Sequence, residues 1–187
     1  MTIPFAGLRD TVAEFTGAGA GSRILDVATG TGKQAFAFAK KGYDVTGVDL
    51  SEDMLRVAKK KNKYGNARFE IADATALRFG DCSFDVSCIS FALHDMPPGV
   101  RERVLREMVR VTRPDGMIVV VDYALPSNRI WRFLVYHFVR QYERYYYPEF
   151  IKSDLDALLG SLGIGIKEKR SVLLGTGRIL KGSKKAK

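Results

Sequence analysis

The run Ile24-Leu25-Asp26-Val27-Ala28-Thr29-Gly30-Thr31-Gly32 most limits how this chain can fold, because an apolar strand breaks there directly into a glycine turn. Gly30 and Gly32 let the backbone turn sharply and let a ligand come close to the main chain. Asp49 follows 19 positions after Gly30 and closes a second apolar run, Tyr43 to Val48. A carboxylate at the tip of the second strand is placed to accept both hydroxyls of a ribose. The pattern predicts a site for an adenosine-containing cofactor.

Residues Gly30 to Ala35 also fit the dinucleotide fingerprint G-x-G-x-x-G/A, which alone is a weak signal. Asp26 argues against a dinucleotide, since a carboxylate at the end of the first strand would face a pyrophosphate with the wrong sign. S-adenosylmethionine (SAM) reverses that argument. It carries no phosphate, and its sulfonium and ammonium groups are attracted to a carboxylate. Asp73 closes a third predicted strand, Ala67 to Ala72, where it can accept from the adenine amine. Ser90 ends the fourth. The expected cofactor contacts are Asp26, Ala28, Gly30, Asp49, Leu50, Asp73, Ala74 and Ser90.

Strands and helices alternate along the chain. Phe5, Leu8, Val12 and Phe15 recur at helical spacing in a short N-terminal helix, linked by Gly17 to Ser22 to the first strand. Lys33 to Lys41 is a predicted helix that stops at Gly42. Ser51 is placed to cap another, with Glu52 and Asp53 in its first turn and Lys59, Lys60 and Lys61 in its last. The helix Pro98 to Val111 ends before Pro114-Asp115-Gly116, a turn that feeds the strand Met117 to Tyr123. Alternation of this kind implies an α/β doubly wound, mostly parallel sheet with helices on both faces, which binds ligands at the carboxyl ends of its strands.

The segments ILDVATGTG (24–32), VTGVDLSEDML (45–55), FEIADATALRF (69–79), SFDVSCISFALHDM (83–96) and LREMVRVTRPDGMIVVVDYALP (105–126) together resemble the SAM-dependent methyltransferases of the doubly wound, Rossmann-like type. That family usually has glycine where this chain has Ala28, and its quinone-methylating branch also shows alanine there. YYYPEFIKSDLDALLGSLGI (145–164) and SVLLGTGRILKGSK (171–184) look like that branch's closing helix and final antiparallel hairpin. The resemblance implies one methyltransferase domain over 1–187 that acts on a small, largely apolar acceptor, quinol-like or lipid-like. Within it, 1–22 is the N-terminal helix and linker, and 128–150 is an insertion that covers the acceptor.

Nine of the 20 aromatic residues fall within 131–150. Trp131, Val135, Phe138, Tyr142 and Tyr145 form one stripe expected to pack on the sheet. Phe133 and Tyr136 form a second patch among Arg129, Arg132, Arg140 and Arg144, expected to line the acceptor pocket, meet a second subunit or touch a membrane surface. His94, beside Asp95 just past the fourth strand, is the candidate general base. His137 is expected to be a packed histidine.

The net charge is +9, of which residues 178–187 carry five basic groups, leaving +4 for the preceding 177. Lys181 to Lys187 reads as a solvated, disordered tail. A nucleic-acid substrate is disfavoured, because Ser90-Phe91-Ala92-Leu93 lacks the Asn-Pro-Pro-aromatic cluster of enzymes that methylate base amines. A nicotinamide-dependent oxidoreductase and a non-catalytic SAM-binding protein, monomeric or homodimeric, are the other readings. Cys82 and Cys88 are too few for a metal cluster and read as a loop thiol and a core thiol. No apolar run reaches the ~18 residues of a membrane span, and MTIPFAGLRD lacks a signal-peptide layout, so a cytoplasmic location is expected.

Overall fold

The computed structural model describes residues 5–143 and 145–185. The side chain of Phe5, Arg144 of the aromatic segment and the last two residues of the basic end lie outside the described residues. Seven strands form one sheet: β1 (Arg23–Val27), β2 (Asp44–Asp49), β3 (Ala67–Ile71), β4 (Phe84–Ser90), β5 (Thr112–Tyr123), β6 (Ile164–Val172) and β7 (Gly177–Lys184). Their order is β3-β2-β1-β4-β5-β7-β6. The first five are parallel, and β7 runs antiparallel between β5 and β6. The strand order reverses between β1 and β4, and such a switch point opens a crevice at the carboxyl ends of the strands.

The helices are α1 (Phe5–Phe15), α2 (Lys33–Lys40), α3 (Glu52–Lys61), α4 (Pro98–Val111), α5 (Arg129–Tyr142), α6 (Tyr147–Phe150) and α7 (Leu155–Ser161). Local chemistry sets their ends. Ser51 Oγ accepts from Met54 N at 3.3 Å, and Pro98 occupies the first turn of α4, where its missing N–H costs nothing. Asn128 and Asp154 cap α5 and α7 in the same way, accepting from Trp131 N and Ala157 N.

Successive strand residues point to opposite faces. Ile24, Val86, Cys88, Val119 and Val121 pack with α1, α2 and α3 on one side of the sheet. Leu25, Ile89, Ile118 and Val120 pack with α4, α6 and α7 on the other. Both faces are thereby covered.

Four expectations are corrected. Covered faces leave α5 no sheet to pack on: of its described residues only Val135 is buried, while Trp131, Phe138 and Tyr142 are exposed, as is Tyr145 beyond it. His137 is also exposed, its ring 4.3 Å from that of Phe133. Lys181 to Lys184 are not a free tail but the end of β7, paired with Ile164 to Glu168, because a hairpin strand inserted beside β5 has hydrogen-bond partners on both edges. Residues 113–116 lie within β5 as an irregularity, where the β4 register jumps from Phe84↔Thr112 to Val86↔Met117.

Candidate cofactor and acceptor site

The tip of β1 is built by left-handed backbone. Ala28 has φ 53° and Gly30 φ 54°, so the chain leaves the strand and rises over the sheet edge. Nothing lies within 4 Å of where a Cβ on Gly30 would stand. That surface is open to a ligand. Gly32 (φ 78°) has the opposite duty: a Cβ there would meet Phe36 at 2.9 Å and Phe69 at 3.0 Å, so its small size lets α2 close onto the sheet.

Asp26 is buried at the end of β1 and accepts from Thr29 Oγ1 at 2.6 Å. Burial disfavours its charged form and pushes its pKa up to about 7, although the Thr29 and Ala35 hydrogen bonds act the other way. It lines a cavity of about 290 Å³ together with Ala28, Gly30, Ser90, Phe91 and Gln34. Helix α1 walls the outer side with Leu8, Arg9 and Val12, and Gln34 Nε2 donates to Arg9 O at 3.1 Å to hold it there. These α1 contacts were not read from the sequence; the helical stripe was visible, but its docking partner was not.

A second group of expected contacts lies along the tips of β2 and β3. Asp49 Oδ2 accepts from Gly30 N at 2.8 Å and Oδ1 from Ser51 N at 2.9 Å. This carboxylate therefore ties the glycine turn to the start of α3, and each oxygen keeps a further lone pair for a ligand hydroxyl. Leu50 is 68% exposed beside it. Asp73 lies in the loop after β3, where Oδ1 accepts from Thr75 N and Thr75 Oγ1, both at 2.8 Å, which hold its pKa below the usual carboxylate value. Ala74 next to it packs against the core.

His94 is buried, and its partner is Asp122 rather than the adjacent Asp95, which points to solvent. Nδ1 lies 2.7 Å from Asp122 Oδ1, and His94 N donates to Oδ2 at 3.3 Å. On the far side Nε2 is 3.7 Å from Glu143 Oε2, just past α5. Burial opposes the imidazolium, but the hydrogen bond and charge of Asp122, aided by Glu143 and Asp95, outweigh it and leave His94 above the ordinary histidine value. Arg101, buried in α4, fixes this loop by donating to Leu93 O at 3.1 Å and Met96 O at 3.0 Å.

Aromatic rings connect this pair to the cavity. Phe91 meets Tyr123 edge-on at 5.5 Å, and Tyr123 meets His94 at 4.6 Å and Tyr147 at 5.5 Å. Tyr147 is 1% exposed, yet its hydroxyl has no hydrogen-bond partner among the described residues. Of the second aromatic patch, Tyr136 is half-buried and stacks on Tyr147, whereas Phe133 faces solvent. Asp122, Tyr123, Glu143 and Tyr147 escaped the sequence reading; the run of apolar residues ending in Asp122-Tyr123 at a strand tip was the available signal.

Acids at the strand tips, an open glycine turn and a cavity reaching Asp26 suit a cationic nucleoside such as SAM. Comparison with known proteins agrees. A family described as a methyltransferase domain matches residues 24–116. A demethylmenaquinone methyltransferase of Renibacterium salmoninarum is 41% identical over 119 residues, which cover 64% of this chain and 48% of that protein. The ubiquinone/menaquinone biosynthesis C-methyltransferase UbiE of Geobacter sulfurreducens is 31% identical, across 88% of this chain and 73% of that one. The structure of a SAM-dependent methyltransferase from Aquifex aeolicus superposes with a TM-score of 0.73 at 18% identity, over 96% of this chain and 93% of that chain. The fold is that of the Rossmann-like methyltransferases. By sequence the chain belongs to the SAM-dependent methyltransferase family that includes UbiE, and SAM is the cofactor of that family. The chain spans about half the length of the first of these relatives.

Proposed function

We propose that the protein transfers a methyl group from SAM to a small, largely apolar acceptor of quinol-like or lipid-like class. The observation that carries this reading is the buried His94–Asp122 pair, held 2.7 Å apart and joined through Tyr123 and Phe91 to the cavity at the β1 tip. The names of the relatives, a demethylmenaquinone methyltransferase and a ubiquinone/menaquinone biosynthesis C-methyltransferase, support a quinone-type acceptor.

SAM supplies an activated methyl on a sulfonium, already a good leaving group. The chain must then hold the two reactants in line, a positioning effect worth up to ~7–11 kcal/mol. Asp49 would hold the ribose, Leu50 and Ala74 would meet the adenine, and Asp73 would accept from its amine. Asp26 would attract the ammonium, while Arg9 and Lys33 in the same cavity would suit the carboxylate. Ala28, Gly30 and Ser90 supply the floor.

His94 takes the proton that the acceptor loses. Asp122 holds its Nδ1 and stabilises the imidazolium that forms, and Tyr147 donates its free hydroxyl to an acceptor oxygen. Residues 128–150 cover the acceptor from the side of Glu143, Tyr136 and Tyr147. The test is to incubate the protein with SAM and, separately, a short-chain naphthoquinol, a benzoquinol and single-stranded DNA. Formation of S-adenosylhomocysteine with a quinol supports the reading. Formation only with the nucleic acid, or with none of the three, contradicts it.

A further inference from the structure

We infer that the outer face of α5 docks the protein on the surface of an anionic lipid bilayer, a property that goes beyond the proposed reaction and does not depend on it. Ile130, Phe133, Leu134 and Phe138 recur at i, i+3, i+4 and i+8 and are 75, 63, 53 and 64% exposed. That spacing gathers them into one stripe, with Phe138 at its edge next to Val135, the buried residue of the helix. Because the remaining helices already cover both sheet faces, nothing among the described residues covers this stripe.

Charge decides the occupant. Helix α5 holds Arg129, Arg132 and Arg140 along one flank of the stripe and has no Asp or Glu. Beside it Leu125, Arg129, Arg132, Phe133, Tyr136 and Lys152 line an open cavity of about 310 Å³. Three cations around an apolar floor match a phosphodiester headgroup and the first carbons of its chains. A second copy on a two-fold axis would instead set these arginines against one another. At 14 residues the helix is about 21 Å long, suited to lying in the interface, and no helix among the described residues is long and apolar enough to cross a membrane.

The experiment is co-sedimentation of the full chain with phosphatidylcholine vesicles and with vesicles of equal parts phosphatidylcholine and phosphatidylglycerol, at low and high salt. The expected result is partitioning at least about tenfold stronger onto the anionic vesicles, weakened by salt. F133S/F138S and R129Q/R140Q should each lower it by about tenfold or more. Both pairs are exposed, so the melting temperature should stay at the wild-type value. No sedimentation with phosphatidylglycerol, equal partition onto the neutral vesicles, or variants that bind like wild type would overturn the inference. So would a wild-type dimer in solution that F133S/F138S dissociates while neither protein binds vesicles, which would make the stripe a self-association surface.

Discussion

His94 Nδ1 and Asp122 Oδ1 lie 2.7 Å apart, with both side chains buried and Glu143 Oε2 at 3.7 Å from the opposite ring nitrogen. Such an imidazole is oriented through Nδ1, while Nε2 faces the Glu143 carboxylate. His94→Gln should lower turnover at saturating SAM by about 10²–10⁴-fold and leave SAM affinity near wild type. A base must be neutral to act, and the carboxylates raise the His94 pKa above its ordinary value, so turnover should climb with pH through that raised value. Asp122→Asn should move the climb to lower pH. The same shift stabilises the fold below the unfolded histidine pKa, and that contribution disappears as pH rises through the folded one. Parallel loss of SAM binding and turnover in His94→Gln would assign the residue a structural role.

Asp26 is shifted the same way, by burial rather than by partner charges. Its folded pKa of about 7 lies above the ordinary 3.8, so its burial stabilises the fold most at low pH and progressively less as pH rises from about 4 to 7. A bound ammonium needs the ionised carboxylate. SAM affinity should be about tenfold weaker at pH 6 than at its maximum, and weaken again above pH ~8 as the ligand's own α-amino group deprotonates. In Asp26→Asn the low-pH limb should vanish, as calorimetric titration across this range would show.

Tyr147→Phe separates recognition from stability. Removing a buried hydroxyl that has no partner among the described residues should leave the melting temperature equal or higher. If that hydroxyl binds the acceptor, the acceptor KM should rise by about tenfold while SAM affinity holds. A clear fall in melting temperature would mean that the hydroxyl is satisfied within the fold.

Much of this architecture was legible because its causes are local. Ser51 with its flanking charges, Pro98 at a first helical turn and the acids at the tips of β1 and β2 each announce their place through short-range chemistry. The site's pairing was not. Adjacency pairs His94 with Asp95, whereas β5 delivers Asp122 from 28 positions away once it pairs with β4. The aromatic helix misled for a related reason, because apolar periodicity reports that a face exists but not whether any sheet remains for it. The lysines from Lys181 onward read as a solvated end, yet Lys181 to Lys184 all pair with β6, and Gly182 and Ser183 between the lysines are buried.

Ala28 carries strain that the fold tolerates. At φ 53° an alanine is in a region that costs about 1–2 kcal/mol, and glycine relieves most of it at some loss of unfolded-state entropy. Ala28→Gly should raise stability by about 1 kcal/mol in urea unfolding. A loss of stability would mean that the methyl group contributes packing at the turn.

Calorimetric titration of SAM into wild type and Asp49→Ala decides whether the β2 tip holds this cofactor. Asp49 bridges Gly30 N and Ser51 N at 2.8 and 2.9 Å and keeps lone pairs free for the ribose hydroxyls of a bound SAM. Wild type should bind SAM, with NAD giving no heat, and Asp49→Ala should lose roughly 1.5–3 kcal/mol, about tenfold or more in affinity. Unchanged SAM affinity in the variant, or NAD bound in preference to SAM by wild type, would contradict the account.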